Sequence, residues 1–114
     1  MIYTSYFAKA RKIQDKSKLV CIARFAPKGT DMAMAPELMP PKEVLFRYKK
    51  DGDMVAYTES YTQDVLNKLD PAEIAKKYQN KILLCYERPE AFCHRHLIAA
   101  WLNSNGYDCK ELEL

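Results

Sequence analysis

The chain has 114 residues, 48% of them hydrophobic and 29% charged. That is too apolar for a disordered chain, and the length suits a single domain with one core. The net charge is +3, with Lys and Arg scattered rather than gathered into a basic stripe, which argues against a dedicated nucleic-acid binder.

The N-terminus carries no basic stretch followed by an apolar one, so no secretory signal peptide is expected. No apolar run approaches the ~20 residues that span a bilayer. A soluble, cytoplasmic protein is expected. In that setting the four cysteines are expected to be reduced, with Cys21 and Cys109 serving as packing residues.

Residues 2–6 (Ile-Tyr-Thr-Ser-Tyr) are β-branched and aromatic and predict a strand. Residues 7–13 predict a short helix with Lys9, Arg11 and Lys12 outward, and 14–18 form a polar break. Residues 19–23 are continuously apolar, as expected of a strand covered on both faces, and end at Arg24. The segment 25–41, with Pro27, Gly29, Pro36, Pro40 and Pro41, predicts a loop. Its Met32, Met34, Leu38 and Met39 fit either ordinary packing or a lid over a site.

Val44, Leu45 and Tyr48 lie at helical spacing in 42–50, which Asp51-Gly52-Asp53 closes. From Met54 onward, Tyr57, Tyr61, Val65 and Leu69 share one helix face. This tyrosine stripe has two readings, a stacking platform for a base or sugar and plain core packing. Asp70-Pro71-Ala72-Glu73 is a strong helix start, with an N-cap carboxylate and proline at the first helical position, and the helix is expected to reach residue 79. Residues 81–86 predict a strand, 88–91 a turn, and 92–103 a helix with Leu97, Ala100 and Trp101 on its apolar side. Gly106 is placed to end it in the left-handed conformation, and 107–114 return as a last strand. This order predicts a single α/β domain over 1–114, a mainly parallel sheet flanked by helices, either Rossmann-like in three layers or open in two.

In open parallel sheets ligands sit beyond the carboxyl ends of the strands. Arg24, Cys85 and Glu87 fall at or past two such ends, and Cys93, His94 and Arg95 open the following helix. A helix start with two arginines favours an anion and lowers a thiol pKa. Arg24 and Arg95 are therefore candidates to hold an anion. Cys93 is the candidate nucleophile, His94 its proton partner, and Glu87 an orienting group or base. Cys85 sits on the ligand side as a small buried thiol. Each has a plainer reading: Glu87 pairing with Arg24 or Arg95, and structural thiols at 85 and 93. His96 is expected to be exposed on another helix face. Cys85, Cys93 and His94 match no standard zinc spacing, so neither metal nor cofactor is expected.

The run Leu83-Leu84-Cys85-Tyr86-Glu87, then Cys93-His94-Arg95 and an apolar helix ending in Trp101-Leu102, resembles the signature of the domain of unknown function 488 family. Ile2-Tyr3-Thr4-Ser5-Tyr6 and Ile22-Ala23-Arg24 are similar to its other recurrent segments, and the segment 32–61 looks like its compact form. Many members carry an acid two positions before the strand-end arginine, where this chain has Ile22. The resemblance implies a small cytoplasmic α/β protein with Arg24, Cys85, Glu87, Cys93, His94 and Arg95 at one sheet edge. It implies no particular reaction.

Three functions fit these residues. One is a polar pocket for a small anionic or nucleotide-like ligand, with cysteine or acid/base chemistry. The second is a non-catalytic nucleic-acid module using Lys9, Arg11, Lys12, Lys16 and Lys18. The third is an interaction domain using the methionine loop and the tyrosine helix.

Overall fold

A computed structural model describes residues 1–113. The strands are β1 (Ile2–Tyr6), β2 (Leu19–Cys21), β3 (Ala33–Met34), β4 (Ile82–Cys85) and β5 (Cys109–Glu111). The helices are α1 (Phe7–Ala10), α2 (Lys42–Asp51), α3 (Met54–Asp64), α4 (Pro71–Lys77) and α5 (His94–Ser104). The strands form one five-stranded sheet in the order β3-β2-β4-β1-β5, and every pairing is parallel. The apolar runs at 19–21 and 82–85 lie side by side near its centre, with Val20 opposite Leu83, and every residue of both strands is buried.

Alternation along the strands sorts side chains onto two faces. Val20, Leu83 and Cys85 join the larger core with Tyr57, Tyr61, Ile74, Ile98 and Leu102 from α3, α4 and α5. Leu19, Ile82 and Leu84 join a smaller one with Ala10 and Ile13. Burying each large aliphatic side chain stabilises the fold by about 1.5–3 kcal/mol. The sheet is thus covered on both faces, thickly on one and thinly on the other.

Local signals explain most element ends. Asp70 caps α4 by accepting from the Ala72 amide at 2.9 Å, with Pro71 at the first helical position. Gly106 takes φ +87° just past α5. Helix α1 is shorter than the predicted 7–13. The amides of Lys12 and Ile13 bond back only three residues, to Lys9 and Ala10, and this tighter turn swings Ile13 into the smaller core. The loop 25–41 holds a two-residue strand at its centre. The Ala35 amide donates to the Cys21 carbonyl at 3.0 Å, and Ala35, Leu38 and Met39 are buried, so this part packs as core. The last strand is confined to Cys109–Glu111 instead of 107–114, and Leu114 lies outside the described residues. Among the described residues no helix is long and apolar enough to cross a membrane.

Candidate active site

The strand order creates the site. After β2 the chain passes to β3 on one side, whereas after β4 it passes to β5 on the other. Connections that leave adjacent parallel strands in opposite directions open a crevice at their carboxyl ends. A cavity of about 310 Å³ lies there, lined by Ala23 and Arg24 after β2, and by Cys85, Tyr86 and Glu87 at the end of β4.

The cavity wall is aromatic. Tyr48, Tyr57 and Phe92 pack against one another with ring centroids 5.1–5.3 Å apart. Tyr57 belongs to the predicted tyrosine stripe and both packs in the core and faces the cavity. Burial, then the nearby Glu87 charge, pushes its phenol well above the usual range. Phe25 and Tyr86, each about half exposed, stand at the rim, and the Tyr86 hydroxyl donates to the Phe25 carbonyl at 2.7 Å. Two cations reach the cavity, Arg24 and Lys49. The Arg24 Nε donates to the Pro40 carbonyl at 3.0 Å, which leaves its terminal amino groups without a protein partner among the described residues.

Cys85 and His94 are buried at the inner end. Arg95 lies behind them, fully buried, and does not line the cavity. Its Nε and Nη2 donate to the two carboxylate oxygens of Glu111, each at 3.0 Å, and Thr4 donates to the same carboxylate at 2.8 Å. Its Nη1 donates to Cys85 Sγ at 2.9 Å and to the Glu87 carbonyl oxygen at 2.5 Å. The expected anion-holding role therefore changes for Arg95: its guanidinium is committed to Glu111, a partner that nothing in the local sequence announced, and it meets the cavity only through Cys85. The plainer expectation for Glu87 changes too. Among the described residues its carboxylate pairs with neither arginine.

His94 is fixed by its main-chain partner. Its Nε2 lies 2.7 Å from the Ile22 carbonyl oxygen. A carbonyl can only accept, so Nε2 carries the proton and Nδ1 presents a lone pair, 3.7 Å from Cys93 Sγ. Burial, opposed by that hydrogen bond and aided by the Arg95 and His96 charges, lowers the His94 pKa to about 4. Ile22 is itself completely buried, so a core side chain stands at this position. His96 departs from expectation: it is half-buried, and its Nε2 is enclosed without a partner among the described residues.

The four thiols divide into two kinds. Cys21 and Cys109 are buried and free, and burial raises both pKa values, that of Cys109 to about 12. Cys85 and Cys93 differ: their sulfurs stand in direct contact, although their Cα atoms are 7.7 Å apart. Both sulfurs and the Glu87 carboxylate lie within 4.8 Å of one another. All six residues singled out in the sequence thus gather around the carboxyl edge, five of them at the β4–α5 crossing.

The family model described as the Active DUF488-N3 subclade matches residues 2–106. The chain belongs to the DUF488 family. No curated protein and no solved structure matches it. The DUF488 match covers all of the elements that build the cavity, and it ends before β5, whose Glu111 anchors Arg95.

Proposed function

We propose that the cavity binds a small anionic or nucleotide-like ligand and that its inner end performs cysteine chemistry. One observation carries this reading: an aromatic-walled cavity, with guanidinium nitrogens of Arg24 that have no partner among the described residues at its side, ends on Cys85, whose sulfur receives a hydrogen bond from Arg95. The volume suits a small ligand. A flat ring fits against Tyr48, Tyr57 and Phe92, and an anionic group fits Arg24 and Lys49. Cys85, which faces the cavity, is the nucleophile. Arg95 holds it as a thiolate, Glu87 moves a proton, and His94 orients Cys93. The depressed pKa of His94 leaves it neutral, with little pull on a thiol proton. The same reading takes the protein to be cytoplasmic.

Calorimetric titration with adenosine monophosphate and with adenosine tests the binding step. The phosphate-bearing probe is expected to bind at least about tenfold more tightly, and Arg24→Gln to remove that difference, as the loss of one charged hydrogen bond predicts. Equal, weak heats from both probes would reject the reading.

A further inference from the structure

We propose that Cys85 and Cys93 work as an attacking and a resolving thiol on a small anionic disulfide, so that the pair cycles between dithiol and disulfide. The inference deepens the reading of the cavity as an anion site, because it names the substrate class and gives the two sulfurs different tasks.

The geometry separates them. Both sulfurs are buried, Cys85 at 1% and Cys93 at 4% exposure, but Cys85 lines the cavity and Cys93 does not. Arg95 donates to the sulfur of Cys85, and its bidentate contact with Glu111 fixes that donor before any substrate arrives. A fixed cationic donor favours the thiolate, so Cys85 attacks. Cys93 then lies within reach of the same sulfur, since the two sulfurs stand in direct contact. Their Cα atoms stand 7.7 Å apart, beyond the usual span of a closed bridge, so the backbone also accommodates two separate thiols.

The chemistry balances in two exchanges. The Cys85 thiolate attacks one sulfur of the substrate, forms a mixed disulfide and expels the first substrate thiolate. Cys93 then loses its proton to the Glu87 carboxylate, within 4.8 Å of both sulfurs, and attacks Cys85 Sγ. The second substrate thiolate leaves, and Glu87 passes the proton to it. The substrate disulfide is reduced by two electrons and the cysteine pair is oxidised by two. An external dithiol restores the pair by the reverse exchange. His94 is a positioning residue here: its lone pair faces Cys93 while its other nitrogen is tied to Ile22.

The test uses the full chain carrying Cys21→Ala and Cys109→Ala, reduced, freed of reductant and mixed with one equivalent of dithiobis(nitrobenzoate), a dianionic aryl disulfide. The parent is expected to release both aryl thiolates and to show by mass spectrometry an internal disulfide with no aryl adduct. Cys93→Ser should release one aryl thiolate and keep the other on Cys85. Cys85→Ser should react at least about tenfold more slowly, having lost the thiolate stabilised by Arg95. A parent that keeps the aryl group, a Cys93→Ser variant that behaves like the parent, or stoichiometric zinc that leaves both thiols unreactive would each overturn the proposal. Arg24→Gln separates this from the anion-site reading. If it reacts like the parent with both the dianionic probe and neutral dithiodipyridine, and full release persists, the anion site fails while the thiol pair stands.

Discussion

The imidazole of His94 donates from Nε2 to the carbonyl of Ile22, joining residues 72 apart in sequence. The bond closes β2 onto the start of α5 and holds a neutral histidine in the core. Because burial lowers its pKa to about 4 from the ordinary 6.5, the unfolded chain binds the extra proton first as pH falls. The folded state therefore loses stability from about pH 6.5 down to about 4, where the loss levels off at roughly 3 kcal/mol. Urea midpoints measured across this range should fall more steeply for the native chain than for His94→Gln. Parallel curves would show that His94 does not titrate with folding.

The Arg95–Glu111 pair predicts a large asymmetry. Glu111→Gln leaves a fully buried guanidinium short of its counter-charge, and a loss of about 3–5 kcal/mol is expected. Arg95→Met combined with Glu111→Leu should recover part of that loss, because no lone charge then remains inside. Denaturant unfolding of the two variants checks this, and a double variant less stable than Glu111→Gln would contradict it.

Tyr61 bonds the Leu38 carbonyl at 2.6 Å, and both residues are completely buried. Tyr61→Phe orphans that acceptor and should cost about 1–3 kcal/mol. Tyr78 offers the control. Its hydroxyl donates at 2.8 Å to the partly exposed carboxylate of Glu37, which also receives Lys77 and can take a water instead, so Tyr78→Phe should cost less. Equal thermal shifts for the two would refute the argument.

Gly52 ends α2 at φ +65° with open space where a Cβ would stand. Any penalty for Gly52→Ala is therefore conformational, about 1–2 kcal/mol. Gly52→Asn should lose visibly less, since asparagine tolerates the left-handed region. Identical melting temperatures for the two variants would point to another cause.

Sequence by itself determined the apolar strands, the Asp70 cap, the left-handed turn at Gly106 and the placing of Arg24, Cys85, Glu87, Cys93, His94 and Arg95 at element ends. These are short-range matters of hydrophobic period, capping chemistry and backbone freedom, each readable within a few residues. Only the tertiary structure decided that β4 enters between β2 and β1, which brings Arg24 and Cys85 to one cavity. It also decided that Glu111 claims Arg95, that Ile22 fixes the tautomer of His94, and that Cys85 rather than Cys93 faces the cavity. Strand order and register choose those partners, and no local pattern encodes which distant side chain will face a buried charge.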